Sequence, residues 1–563
     1  MRKRRLASAM FLVAMGVGQV AATAAEPPRI TKAKNLTVED VDPNRTYSAP
    51  TLAVDPAHPR TVAAAFADLR TRRCGLMVSK DGGESWRRPD SSPSPDSFPF
   101  CMRPNRGSPV AHVAFGRDSV LYYALLGWDA QEGNRGNLSV ILARSSDLGE
   151  TWTTTMIRNT RGRPDNDLEQ NGPITGLTVD TKSGAQDLVS VGWSSHKPPP
   201  SGPPVGVKPM VAVSADGGKT FDVHDLRALV FETESLRAEI VKSTTGKPPT
   251  PPSGPPTGGP PPAPPQLDEP DSYSGREPSV AVDRNGNLYA AWALRNDRVT
   301  AGTAMMLSKS TDKGRTFTTS FLSPFDLGIG GLPVMRWSAK GGPSGSLHVV
   351  YEATNRPDVA NERDITYQRS TDAGATWSAP RVLNDDDPAS IHGNFLPTVS
   401  IAPSGRIDVA WWDRRNDPGI NFGNDVYHVS STDNGSTWSA NNRITDQLVD
   451  RRIGVFGNNY DVMAPPGLVS LKEYSVLGWD DTRNGKADGL GAGAQDLYLG
   501  MVQFDEIGAG MPSVAKAVIA GTVGLLVVGL VLLVAALATH EPRAERADAG
   551  SPPTRRRALS GRR

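Results

Sequence analysis

Five stretches of this 563-residue chain repeat one chemical theme, an acidic residue followed or preceded closely by arginine. They are Asp68-Leu69-Arg70, Leu294-Arg295-Asn296-Asp297, Glu352-Ala353-Thr354-Asn355-Arg356, Trp412-Asp413-Arg414-Arg415-Asn416 and Trp479-Asp480-Asp481-Thr482-Arg483-Asn484. Each closes a short apolar run. A guanidinium grips a carboxylate or phosphate through two parallel hydrogen bonds, so arginines gathered at equivalent strand ends suit an anionic ligand. On that reading Arg70, Arg295, Arg356, Arg415 and Arg483 contact the ligand, with Asp413 and Asp480 beside them. The competing reading is a ring of ion pairs between repeats. A substrate site is ordinarily asymmetric and this pattern is nearly symmetric, which favours the ion pairs.

Other chemistry is sparse. The eight histidines are scattered without zinc-ligand spacing, so no metal site is assigned. Asp385-Asp386-Asp387 and the pair Asp446 and Asp450 offer oxygen ligands that could hold calcium, although solvated acidic loops are the simpler account and no cofactor is expected. No glycine-rich phosphate loop stands out. A net charge of +1 gives no reason to expect a nucleic-acid partner.

The elements that must position these residues are set by a second pattern, Ser-x-Asp-x-Gly-x-x-Trp/Phe. Six copies begin at Ser79, Ser145, Ser214, Ser310, Ser370 and Ser431, each after a short apolar run. The Asp side chain can accept backbone N–H groups ahead of it and close a turn. Gly supplies a backbone conformation that other residues resist, and the aromatic packs beneath. The copies recur at 60 to 70 residues, apart from one step of 96. Each unit opens on Pro-x-apolar and offers about four short strands. A seventh unit lacks the pattern but keeps the strands Tyr474–Trp479 and Leu497–Phe504. This period predicts an all-β, seven-bladed β-propeller, with six blades as the alternative. The lead near Leu36 is expected to close the ring and remove an open sheet edge.

The long step contains an insert at 223–273. Asp225–Ser243 has an apolar stripe of helical period. The tract 248–265 is proline-rich and reads as a polyproline-II or disordered spacer.

The repeated Ser-x-Asp-x-Gly-x-x-Trp/Phe pattern resembles the Asp-box, or BNR repeat, of sialidase-like propellers, over roughly residues 45–505. The resemblance implies that the Asp-boxes are peripheral turn formers. It also implies a central site with three arginines on a sugar carboxylate, a tyrosine nucleophile paired with a glutamate base, and an aspartate acid. By that resemblance Tyr460 is a candidate nucleophile, Glu352 a base and Asp68 an acid, with Arg356 and Arg415 as the later arginines. The family's Arg-Ile-Pro motif is missing from unit one, where Ser48-Ala49-Pro50 stands in its place.

The ends of the chain carry targeting signals. Residues 1–25 combine Arg2-Lys3-Arg4-Arg5, an apolar stretch and Ala22-Thr23-Ala24, as in a cleaved secretory signal. A propeller spanning 26–506 and a linker at 507–513 precede an apolar stretch, 514–538. That stretch is long enough for a transmembrane helix. The arginine-rich tail, 539–563, is expected in the cytoplasm by the positive-inside rule. The only two cysteines, Cys74 and Cys101, then lie outside the cell. They read as one disulfide, with two buried thiols as the alternative. The expected protein is a single-pass, cell-surface propeller binding an extracellular glycan or protein, or alternatively an anchored sialidase-type exo-glycosidase.

Overall fold

Seven small antiparallel sheets follow one another along the chain and close into a ring. The computed structural model describes residues 28–102, 111–128, 138–159, 170–196, 206–245, 247, 272–354, 356, 362–387, 392–417, 422–454, 464–485 and 494–504. The signal segment, the proline-rich tract, Tyr460, the 514–538 stretch and the basic tail lie outside these residues. Among the described residues, no helix is long and apolar enough to cross a membrane.

Each blade runs from an inner strand to an outer one. The inner strands are Tyr47–Val54, His112–Phe115, Gln170–Asp180, Tyr273–Val282, Ile329–Ser338, Asn394–Ile401 and Gly467–Ser470, for blades 1 to 7. Each packs against the inner strands on both sides, blade 7 meeting blade 1. Second strands such as Val62–Asp68, Ser346–Ala353 and Ile407–Asp413 are almost wholly buried. They carry the near-continuous apolar runs expected of strands covered on both faces. Blade 7 is completed by the N-terminal lead: Arg29–Ile30 and Lys34–Asn35 pair antiparallel with Asp496–Gln503. The ring is therefore closed by residues from both ends of the described chain, as the lead near Leu36 suggested.

The Asp-boxes begin where the third strands end, at the end of each blade opposite to Asp68, Glu352 and Asp413. In all six the Ser hydroxyl donates to the Asp at 2.7–2.9 Å and accepts the Gly N–H at 2.7–2.9 Å. A Ser or Thr just before the aromatic completes each box. Ser85, Thr151, Thr220, Thr316, Thr376 and Thr437 donate backbone N–H to the Asp at 2.8–3.0 Å. The Thr151 hydroxyl, with its backbone N–H, holds Asp147 near 2. The Gly of each box also lets neighbouring blades approach. Gly314 has φ +86°, and a Cβ there would sit 2.5 Å from Val213 of blade 3.

The insert forms two short helices, α1 (Leu226–Glu232) and α2 (Glu234–Thr244). The single expected helix is broken at Thr233, which is extended. Asp225 caps α1 by accepting the N–H groups of Arg227 and Ala228. Leu226, Val230, Leu236 and Ile240 bury their stripe with Tyr273 and Trp292 of blade 4.

Candidate active site

At one end of every blade the inner strand begins, the second strand ends and the third begins. The acid–arginine theme lies at this end. In blades 6 and 7 it builds the same network twice. Trp411 Nε1 donates to Asp413 at 3.0 Å and Trp479 Nε1 to Asp481 at 2.9 Å. Asp413 accepts Arg415 N and Nε, and Asp481 accepts Arg483 N and Nε. Arg415 then lies 4.2 Å over Tyr427, and Arg483 4.2 Å over Tyr498. Arg415 also reaches Asp385 at 2.5 Å, and Arg483 reaches Asp446 at 2.7 Å. Those aspartates belong to the acidic loops considered for calcium. Among the described residues, no group of three or more His, Cys, Asp or Glu is arranged to hold a metal.

The remaining arginines of the theme are engaged in the same manner. Arg70 bridges Asp42 at 2.6 Å, Asp40 at 3.1 Å and Asp68 at 3.4 Å. Arg295 meets Asp297 at 3.5 Å and Arg356 meets Glu362 at 3.7 Å. Asp68 caps its own turn by accepting the N–H groups of Arg70 and Thr71. It lines an open cleft of about 680 Å³ with Asp40, Tyr47, Arg88 and Phe100.

The register separates Asp480 from Asp413. Asp413 is the counterpart of Asp481, and Asp480 occupies the position that Trp412 fills in blade 6 and Glu352 in blade 5. Asp480 is buried against Ser48 Oγ and Gln495 Nε2, each at 3.3 Å. Burial pushes its carboxyl up to about 7, with Asp481 beside it adding to the rise.

Glu352 gathers a different set of neighbours. Its Oε1 accepts the Leu396 N–H of blade 6 at 2.9 Å. Gly331 lies across the strand pair from it. A Cβ on Gly330 would sit 3.2 Å from Glu352 Cβ and 3.4 Å from Arg363 Nε. Gly330 therefore leaves room for both side chains. Within electrostatic reach of Glu352 lies Glu277, on the inner strand of blade 4. Its N–H donates to Ser194 Oγ of blade 3 at 3.0 Å. Burial pushes the Glu277 carboxyl up to about 7; Arg276 opposes the shift and Glu352 adds to it.

Glu277 precedes Pro278 in a bulge shared by several inner strands. Its φ is +55°, as Ala49 has +56° and Leu396 +52°. The left-handed residue is thus a feature of the propeller; what is particular to blade 4 is its identity. Arg276 occupies the place of Ser48 in blade 1. The Nε of Arg276 is buried with no hydrogen-bond partner. Unit four opens on Arg276-Glu277-Pro278, so an arginine stands two residues before the bulge proline there, where unit one has Ser48. Neither Arg276 nor Glu277 was singled out from sequence, although that tripeptide was the available signal.

The two glutamates occupy neighbouring blades and have unlike surroundings. One has its carboxyl raised to about 7, so that about half of it keeps its proton at neutrality; the other is fixed by a backbone donor. Such pairs divide acid and base roles. Arg276 adjoins Glu277 in the chain, and Arg363 approaches Gly330 where Glu352 also does.

No protein-family model matches the sequence, and neither does any curated protein. Among solved structures, the Penicillium chrysogenum α-L-arabinanase complexed with arabinobiose is similar at 12% identity, over 69% of this chain and 94% of that one, with a TM-score of 0.39. A Dyadobacter fermentans protein of unknown function is similar at 13% identity, over 85% and 100%, with a TM-score of 0.41. The Trypanosoma rangeli sialidase complexed with the inhibitor DANA is similar at 12% identity, over 72% and 57%, with a TM-score of 0.42. These likenesses are remote in sequence and geometry. The assignment of a seven-bladed propeller rests on the strand pairing and the closed ring themselves.

Proposed function

We propose that the propeller binds a glycan where Arg276, Glu277, Glu352 and Arg363 converge, and cleaves a glycosidic bond there. The observation that carries this reading is the Glu277 carboxyl, raised to about 7 beside a second glutamate. A protonated Glu277 donates its proton to the departing glycosidic oxygen, a contribution of about 10²–10⁴-fold in rate. Glu352, as the carboxylate, stabilises positive charge developing on the sugar carbon; a water molecule then adds to that carbon and gives up a proton to Glu277, which restores the acid. Arg276 and Arg363 orient the ring through its hydroxyl or acidic substituents. The strand-end arginines are left to structural ion pairs in this reading, and Tyr460 is not required by it. We place the propeller outside the cell, anchored by the 514–538 stretch. The Cys74–Cys101 disulfide is consistent with that compartment.

The test is turnover of a panel of fluorogenic sialosides, arabinosides and other aryl glycosides. Wild-type activity that falls at least 100-fold in Glu277→Gln supports hydrolysis. Glycan binding without turnover by either protein would reduce the site to a recognition module.

A further inference from the structure

Blade 1 is built differently from the rest. Its sheet has three strands, Tyr47–Val54, Val62–Asp68 and Arg73–Ser79, where every other blade has four or five. The chain that would supply an outer strand pairs with the third strand only near its two ends. Val78 and Arg87 exchange backbone hydrogen bonds at 2.8 and 2.9 Å beside the Asp-box, and the Cys101 N–H donates to the Arg72 carbonyl at 2.9 Å at the other end. The Cys74–Cys101 disulfide fastens that second contact. Phe100, one residue earlier, is fixed from two sides. Its carbonyl accepts the Trp128 N–H at 2.7 Å, and the Arg72 guanidinium lies 4.5 Å from its ring centre. The half-buried Phe100 forms part of the wall of the open cleft of about 680 Å³.

The cleft combines a fixed frame with unused hydrogen-bonding groups. Arg70, bridging three aspartates, and Tyr47, which donates to Asp40 at 2.7 Å, make the frame. Glu39, Thr71 and Arg73 also line the cleft, are exposed, and make no side-chain hydrogen bond or ion pair among the described residues. They present a free acceptor, a free hydroxyl and a free set of donors. The charged lining residues balance, Glu39, Asp40 and Asp68 against Arg70, Arg73 and Arg88. A simple cation or anion therefore gains little net attraction there. A sugar hydroxyl both donates and accepts, so a neutral polyol satisfies groups of either sign at once. The apolar face of a sugar ring suits the Phe100 ring, and the volume falls in the range of small-molecule sites, about 300–1,000 Å³. The cleft opens at the Asp68 end of blade 1, the end at which blades 4 and 5 carry Glu277 and Glu352.

We propose that this cleft binds a neutral saccharide, as a recognition site separate from Glu277 and Glu352. The purified full-length chain is first applied to a printed array of neutral and acidic oligosaccharides. Each neutral glycan that it retains is then titrated by calorimetry into wild type, Phe100→Ala and Arg73→Ala. Both substitutions are expected to weaken at least one neutral glycan tenfold or more, the first by removing the ring and the second by removing the free donors. Arg73 is exposed on an edge strand, so Arg73→Ala carries the test should Phe100→Ala fail to fold. Retention of acidic glycans alone, or of none, overturns the proposal. So does a neutral glycan affinity that neither substitution changes. Wild-type crystals soaked in the retained glycan then separate this cleft from the glutamate site. Sugar density against Phe100 and Arg73 supports the proposal, and density confined to Glu277 and Glu352 overturns it.

Discussion

Replacing Glu277 by glutamine separates stability from function. A carboxyl raised from its ordinary 4.5 to about 7 is one whose charged form the fold opposes. The sign is set by proton binding. Between pH 4.5 and 7 the unfolded chain has released this proton and the folded chain retains it. Stability therefore falls as pH rises through that window, at up to about 1.4 kcal/mol per pH unit. The accumulated cost is on the order of 3 kcal/mol above pH 7, from a shift of about 2.5 units. Glu277→Gln removes the titration and keeps the shape. The assay is urea unfolding of both proteins at pH 5 and pH 8. The variant should match wild type within about 1 kcal/mol at pH 5 and exceed it by about 3 kcal/mol at pH 8. It should lose turnover at the same time, the trade expected where a strained group serves chemistry. A stability difference that does not change between the two pH values would refute the argument.

Three further outcomes are expected from the frame around the site. Reducing or replacing the Cys74–Cys101 bond, which closes 27 residues, should cost about 3.5 kcal/mol by loop entropy, read as a lowered denaturation midpoint. Gly314→Ala should cost about 2 kcal/mol or more, because its φ is +86° and its Cβ would meet Val213; a neutral result in thermal unfolding would contradict the close blade contact. The Asp-box carboxylates are held below their unfolded values, Asp147 and Asp312 near 2 by Thr151 and Thr316 hydroxyls. Their stabilisation is complete above about pH 4 and is lost as pH falls towards 2, so acid unfolding should begin in that interval and shift upward in Asp147→Asn.

The fold was legible because its signals are local and repeated. Each Asp-box is a self-contained hydrogen-bonded turn, so six copies with a common period declare six blades without any knowledge of tertiary contacts. The seventh blade and the closing lead were marked by strands left over at each end. The final Ser or Thr of the box was equally regular and went unread. The acid–arginine theme was legible as a pattern, and the structure engages its arginines in ion pairs at Asp68, Asp413 and Asp481. The equivalence of Asp413 with Asp481 rather than Asp480 depends on register, which a one-residue offset inverts. Glu352 could be named from sequence, but its neighbours could not. They come from blades 4 and 6, and from a left-handed bulge whose direction no single strand reveals. An arginine before proline was expected in unit one, whereas Arg276-Glu277-Pro278 opens unit four. Tyr460 lies outside the described residues.

The central claim is that burial, with Glu352 adding to it, raises the Glu277 carboxyl to about 7. It is tested most directly by titrating the Glu277 carboxyl carbon by ¹³C NMR in wild type and in Glu352→Gln. The account predicts a wild-type midpoint near 7 and a lower one in the variant, because a neighbouring negative charge has been removed. A wild-type midpoint near 4.5, unmoved by the substitution, would contradict it.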